Sequence, residues 1–156
     1  MPDILQLLSS PVHRYEGRPA DGPGPVPDGE IVDEIEVRAG LGIVGDRYFG
    51  KPAHRDAAIT LIASESLPPG ADLVQARRNV LLRGVAVDDL VGRLLTIDSG
   101  FGPVELAVRR RANPCAWLDA TIGPGTRQLL RGKGGVRCAP LTDGRLRVGP
   151  ITVSIQ

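Results

Sequence analysis

The stretch PVELAVRRR, residues 103–111, has an apolar side chain at every second position of its first half. Val104, Leu106 and Val108 therefore share one face of an extended chain, which predicts a strand with one buried side. Ile31, Ile35 and Val37 alternate in the same way. The other runs of this kind are EIVDEIEV (30–37), AAITLIA (57–63), NVLLRGV (79–85) and RLLTID (93–98). Such short apolar runs favour a β-rich fold.

Both ends of the chain have the same character. ILQLLSS (4–10) predicts a first strand that continues in VHRYEG (12–17), before a Pro/Gly-rich connector at 17–29. Near the C-terminus, VRCAPL and RLRV flank the turn residues at 142–144, which predicts a hairpin followed by the strand ITVSI. Helical patterns are short: ADLVQARR (71–78) and TRQLLRG (126–132). We expect a mainly β fold, a closed or nearly closed β-barrel with a few short helices.

The totals exclude several classes of function. At 156 residues with 42% apolar residues, a single domain over 1–156 is expected. The net charge of +1 and the aromatic content of 3% argue against nucleic acid and membrane surfaces as partners. The N-terminus lacks a signal-peptide pattern, and two cysteines are too few for a disulfide scaffold. These features predict a cytoplasmic location.

The two cysteines differ in their surroundings. Cys115 lies in ANPCAWLD, where Asn113 predicts a helix cap and Pro114 the first helical position. A thiol at a helix start, close to the arginines at 109–111, is favoured as thiolate. A buried thiol that fills space explains the local sequence equally well. Cys138 stands in the middle of an apolar strand and is interpreted as inert.

Basic residues next to turns are candidates for binding anions. Arg77-Arg78-Asn79 joins a short helix to a strand and could hold a phosphate or a polar heterocycle. Gly132-Lys133-Gly134-Gly135 could form an anion cradle. Arginines beside a helix C-terminus and an ordinary turn are the alternatives. The glycines of GLGIVG (40–45) match a dinucleotide-binding pattern, but too few residues follow before the strand at 57 for the helix that it requires.

In chain order, five segments resemble the MOSC domain, which takes its name from the C-terminal domain of molybdenum cofactor sulfurases. The segments are GIVGDRYFG (42–50), AAITLIASESL (57–67), RRNVLLRGV (77–85), NPCAWLD (113–119) and GKGGVRCAPLTDGRLRVGP (132–150). The resemblance covers residue 41 to the C-terminus. It implies a mainly β, barrel-like fold with one reactive cysteine, which falls on Cys115.

The resemblance also implies a cofactor and a reaction. Family members that carry molybdenum cofactor use this cysteine as the ligand to molybdenum, and some reduce N-hydroxylated substrates with electrons from a separate partner. Others are proposed to hold sulfur on it as a persulfide. By motif match, the residues expected to bind the cofactor's phosphate and pterin are Arg47, Arg78 and Asn79, and in addition Arg55 and Lys133.

Three functional hypotheses follow. The first is a domain that binds molybdenum cofactor through Cys115 and takes part in the reduction of an N-oxygenated small molecule. The second is a sulfur carrier with a persulfide on Cys115, and the third is a non-catalytic binding module in which Cys115 merely packs. Some small relatives have a second cysteine where this chain has Asn113. The chain also lacks the pyridoxal-phosphate domain of full-length sulfurases, so an electron or sulfur donor is expected to be a separate protein.

Overall fold

The computed structural model describes residues 1–156, with short helices set among many short strands. The strands are β1 (Asp3–Leu8), β2 (Ile31–Val32), β3 (Glu34–Arg38), β4 (Gly42–Ile43), β5 (Ile59–Ala63), β6 (Val80–Arg83), β7 (Leu94–Asp98), β8 (Pro103–Arg111), β9 (Val136–Pro140), β10 (Gly144–Arg147), β11 (Gly149–Pro150) and β12 (Thr152–Ile155). The helices are α1 (Leu73–Ala76), α2 (Trp117–Thr121) and α3 (Thr126–Leu129). None of them has the length and hydropathy needed to cross a bilayer.

The strands form two sheets. The larger has the order β11-β1-β6-β5-β9-β8-β7-β12, with β2 paired to β1, and the smaller has the order β10-β3-β4. Only β5 and β6 run parallel; the other pairs are antiparallel. β11 and β12 pair with opposite ends of the larger sheet, although only Ile151 separates them in the chain. The sheet is therefore strongly curled, but its ladder does not close, and the predicted closed barrel is not confirmed.

One apolar cluster lies between the two sheets. Val104, Leu106 and Val108 of β8 are buried, as their alternation predicts. Ile35 and Val37 of β3 join the same cluster from the smaller sheet. Because β3 and β10 each pack one face against this cluster, charged residues occupy the opposite, outward face of both strands.

Two local predictions are wrong, and a third is confirmed only in part. The predicted hairpin does not form, because β9 pairs with β5 and β8 while β10 pairs with β3. Residues 12–17 do not continue the first strand but lie in a loop. The helix predicted at 71–78 is a single turn, since a capping box of Asp72 and Gln75 starts it and Arg77, at φ 56°, ends it. The capping box and the left-handed Arg77 are both set by nearby residues. They confine the helix to Leu73–Ala76, whereas the predicted segment covers 71–78.

Candidate functional site

Cys115 lies in the loop that joins β8 to α2. The chain leaves β8 at Ala112, whose N–H donates to the carbonyl of Gly135 at 2.8 Å. Cys115 is exposed, and its carbonyl accepts a hydrogen bond from the N–H of Leu118 at 3.1 Å. An exposed thiol does not fill the core, so the interpretation of Cys115 as a packing residue is wrong.

The predicted helix start at Asn113 is also wrong. α2 begins at Trp117, its N-cap is Ala116, and no side chain caps it. A helix of five residues that starts beyond the cysteine supplies little of the dipole field that was expected to favour a thiolate.

A cavity of about 200 Å³ opens beside Cys115. Five parts of the chain build it: the loop after β1, the turn after β4, the end of α1, the segment from the Cys115 loop to the start of α2, and β9. The lining residues are His13, Arg14, Tyr15, Arg47, Tyr48, Arg77, Arg78, Asn113, Cys115, Trp117 and Arg137. This set contains five arginines and no acidic residue, so the cavity wall is strongly basic.

Two of the five arginines have buried carboxylate partners. Arg47 lies 3.1 Å from Asp46, and Arg77 lies 2.6 Å from Glu30. Arg77 also donates to the carbonyl of Val12 at 3.2 Å, and its own carbonyl accepts from Arg47 at 3.3 Å. These contacts connect the loop after β1 to the end of α1. Arg47 and Arg77 therefore serve chiefly to hold the cavity wall in place.

The other three arginines have no carboxylate within 4.0 Å. Arg14 donates to two backbone carbonyls, and Arg78 donates to the carbonyl of Gly134 at 3.0 Å. Arg137 lies close enough to Arg78 to repel its charge. Three guanidinium groups without carboxylate partners at one concave surface make the cavity a candidate site for an anionic ligand.

The pKa of Arg78 is lowered, in part by this positive charge. Burial, first, and the neighbouring charge of Arg137, second, lower the pKa of the Arg78 guanidinium to about 10. Arg78 stays protonated at neutral pH, so its charge is held in a place that disfavours it. A bound anion would offset that cost.

Aromatic rings form the remaining wall of the cavity. Tyr15 stacks on Trp117 with ring centroids 5.1 Å apart and an interplanar angle of 7°. The Tyr15 hydroxyl donates to the carbonyl of Gln75, and burial raises the pKa of this phenol. Tyr48 contacts His13 on one side, at 5.5 Å between ring centroids. The cavity thus combines cations, one thiol and flat apolar surfaces.

The structure brings together three of the predicted site residues: Cys115, Arg47 and Arg78. Asn79 is not at the cavity. It is fully buried, its side-chain oxygen accepts from the N–H and hydroxyl of Thr60, and its amide nitrogen donates to the carbonyl of Leu8 at 3.1 Å. These bonds tie β5 to β1, so the assignment of Asn79 to the cofactor is corrected to a structural role.

Arg55 and Lys133 also lie elsewhere. Lys133 lines a separate groove in which the charged neighbours are Glu65, Asp88 and Asp89, a set unsuited to binding an anion. Arg55 lines a different cavity with Arg109 and Arg110. None of the arginines at 109–111 lines the cavity of Cys115, contrary to the sequence prediction. Arg78 and Arg137 are among the arginines that line it instead.

Sequence reasoning missed five lining residues. Arg14 and Tyr15 were assigned to a strand, and Arg137 was hidden by its position in an apolar run. Tyr48 directly follows Arg47, and Trp117 follows Cys115 by two residues. Proximity in sequence to a candidate residue is the one signal that could have identified Tyr48 and Trp117.

The two thiols are expected to react differently in the folded protein. A chromogenic disulfide reagent should modify Cys115 rapidly and leave Cys138 untouched until a denaturant is added. Cys138 is fully buried, and burial raises the pKa of its thiol to about 12. The measurement is thiol titration of the wild type, Cys115→Ser and Cys138→Ala. Rapid modification of Cys115→Ser would contradict this assignment.

The fold is similar to known structures of low sequence identity. YuaD from Bacillus subtilis matches with a TM-score of 0.74 at 16% identity, over 99% of this chain and 96% of that chain. YiiM from Geobacillus stearothermophilus matches with a TM-score of 0.61 at 19% identity, over 99% of this chain and 75% of that chain. YiiM from Escherichia coli matches with a TM-score of 0.57 at 18% identity, over 97% and 69%.

At these identities the likeness concerns the fold alone. The neighbours support a MOSC-like fold for this chain. No family model matches the sequence, and no curated protein matches it. The function is therefore inferred from the geometry of the site.

Proposed function

We propose that this chain is a MOSC-type protein that binds molybdenum cofactor in the cavity of Cys115 and takes part in reducing an N-oxygenated small molecule. The observation that carries the proposal is an exposed thiol in a cavity where three arginines lack carboxylate partners. A thiolate is a soft ligand suited to a transition metal. Guanidinium groups bind phosphate in a bidentate manner.

The residues fit the proposed group in charge and shape. The cofactor combines a phosphate, a flat pterin and a metal bound by sulfur, and the cavity offers Arg78 and Arg137, the Tyr15–Trp117 wall and Cys115. The cavity volume of about 200 Å³ is below the roughly 300–1,000 Å³ of typical ligand sites. The cavity would therefore enclose only part of the cofactor.

Each residue would have a distinct task. Cys115 would bind the metal, which supplies the redox chemistry when the cofactor is present. Arg14, Arg78 and Arg137 would hold negative charge and orient the ligand. The aromatic wall would exclude water from one side of the reacting centre. Electrons would come from a separate donor protein, since no other redox group is proposed for this chain.

A persulfide on Cys115 is the second candidate, and the exposure of this thiol favours it. A sulfur carrier needs a thiol that a donor and an acceptor protein can reach, whereas a buried thiol cannot serve. The basic surroundings would stabilise the anionic persulfide as they would a thiolate. A labile adduct one sulfur heavier on Cys115, removed by a reductant, would distinguish this function.

Metal content is the test of the main proposal. The chain is expressed in a host that makes molybdenum cofactor, and purified wild type, Cys115→Ser and Cys138→Ala are compared by elemental analysis. We expect molybdenum in the wild type and in Cys138→Ala and at least tenfold less in Cys115→Ser, since serine is a poorer ligand for a soft metal and about 1.4 kcal/mol of lost binding free energy is enough for a tenfold loss. Cys138→Ala is the matched control because it removes a thiol outside the cavity.

Two results would contradict the proposal. Molybdenum absent from all three proteins, with adequate supply, would exclude cofactor binding, and intact mass would then test the persulfide. Equal molybdenum in wild type and Cys115→Ser would exclude Cys115 as the ligand. Circular dichroism of each variant checks its folding. The exposed Cys115→Ser substitution is expected to be neutral for stability, whereas Cys138→Ala removes a buried sulfur from the core and should cost some stability.

A further inference from the structure

A second basic cavity lies beside the first. It has a volume of about 330 Å³ and is lined by Arg55, Arg109 and Arg110, together with Asp56 and the small residues at 52, 53 and 57. Its volume falls within the range of roughly 300–1,000 Å³ that small-molecule sites occupy. Arg110 is paired across the β8–β9 ladder with Arg137, so the two cavities are neighbours on one sheet.

A β-bulge builds this cavity. In the β8–β9 ladder, Val108 pairs with Cys138 and Arg110 pairs with Arg137, so two steps on β8 match one step on β9. Arg109 is the extra residue. Side chains of consecutive strand residues normally point to opposite faces, and a bulge changes their direction. As a result, Arg109 and Arg110 line the same cavity, and two positive charges are placed side by side.

The three arginines of this cavity have no carboxylate partner, so their charges are available to a ligand. Arg38, Arg83 and Arg145 each lie within 4.0 Å of a carboxylate. Neither Arg109 nor Arg110 has such a partner, and neither does Arg55. Two adjacent cations repel each other unless an anion lies between them. The concave surface therefore carries an excess of positive charge that an anion could neutralise.

The same positive charges help to lower the pKa of the nearby His54. Burial is the main cause that lowers the pKa of His54, and repulsion from Arg137, His13 and Arg110 adds to it. Its Nδ1 atom is buried and has no hydrogen-bond partner. The local potential is thus positive even on a residue that is not part of the cavity wall.

We propose that the cavity of Arg55, Arg109 and Arg110 is a second ligand site, which binds a small molecule carrying a phosphate or a similar oligoanionic group. The guanidinium groups of Arg55, Arg109 and Arg110 all line the cavity, and such groups can donate paired hydrogen bonds to phosphate oxygens. Asp56 leaves the wall with a net charge of about +2, which favours a dianion over a monocarboxylate. This site is independent of Cys115.

The wall favours a small molecule over nucleic acid. No aromatic side chain lines the cavity, so bases would find no stacking surface. The chain carries a net charge of only +1, which is too little for a backbone-binding groove of several phosphates. A compact oligoanion needs neither feature.

Calorimetric titration with inorganic pyrophosphate tests the proposal. The proteins are the wild type, Arg109→Gln, Arg55→Gln, Arg78→Gln in the Cys115 cavity, and two controls, Arg127→Gln and Cys115→Ser. Arg127 is exposed and has no carboxylate within 4.0 Å, so its loss changes the net charge equally without touching the cavity. We expect roughly tenfold or greater weakening in Arg109→Gln and Arg55→Gln, the loss of one charge-assisted hydrogen bond. The controls should bind as the wild type does.

The other outcomes overturn the proposal. Equal weakening by Arg109→Gln and Arg127→Gln would show only a general charge effect. If Arg78→Gln abolishes pyrophosphate binding while Arg109→Gln leaves it intact, the anion binds in the Cys115 cavity instead. Absence of binding to the wild type at millimolar pyrophosphate would also exclude the site. Cys115→Ser lacks the proposed metal ligand but keeps all three arginines of the second cavity. Pyrophosphate binding to this variant would therefore support the second site even if the molybdenum proposal is wrong.

Discussion

Glu30→Gln is expected to lower the free energy of unfolding by about 3–5 kcal/mol, because it leaves the Arg77 guanidinium buried without a counterion. The side chains of Arg77 and Glu30 are 6% and 2% exposed, and their contact distance is 2.6 Å. Arg77 is also the one non-glycine residue at positive φ, so its conformation depends on its contacts. The measurement is urea unfolding followed by circular dichroism.

Glu34→Gln is the matched control for this prediction. It removes the same chemical group from the pair of Glu34 and Arg145, which is largely exposed. An exposed pair contributes about 0–1 kcal/mol, so the control should lose little stability. If both variants lose less than about 1 kcal/mol, the buried pair does not stabilise the fold as argued. A small loss in the double variant Glu30→Gln/Arg77→Met would show that the two residues act together.

Sequence patterns predicted the strands well because each carries its own signal. The alternation in β8 and the apolar run in β5 depend on which face is buried, and burial follows from side-chain type. Pairing depends on contacts between distant segments. β10 follows β9 after a turn at Asp143, yet it pairs with β3, where Leu146 reaches the core beside Ile35. No local pattern distinguishes that pairing from a hairpin.

The candidate site was predictable in its chemistry and less so in its composition. Cys115, Arg47 and Arg78 were identified from short motifs and do lie together. Arg137 and Arg14 were not, because their place at the cavity depends on the neighbours of β9 and on the path of the loop after β1. The adjacent arginines at 109–110 were assigned to the wrong cavity. The bulge that redirects them has no sequence signal here.

Replacing Gly135 by alanine is expected to destabilise the protein by about 3 kcal/mol or more, or to prevent folding. A Cβ atom at Gly135 would lie 2.1 Å from the carbonyl oxygen of Leu61, and φ is +91°. Overpacking costs about 1–3 kcal/mol, and a left-handed alanine costs about 1–2 kcal/mol more. The carbonyl of Gly135 also accepts from Ala112, so a shift would displace the loop of Cys115.

Two glycine variants separate the causes of this loss. Gly132→Ala has a positive φ of +75° but its nearest neighbour is 3.9 Å away, so it should lose only the conformational share, about 1–2 kcal/mol. Gly123→Ala has neither problem and should be neutral or slightly stabilising. Equal losses in Gly135→Ala and Gly132→Ala would mean that β9 can move away from Leu61. The order Gly135, Gly132, Gly123 would instead mean that close backbone packing, and not a flexible anion-binding loop, accounts for the glycine at 135.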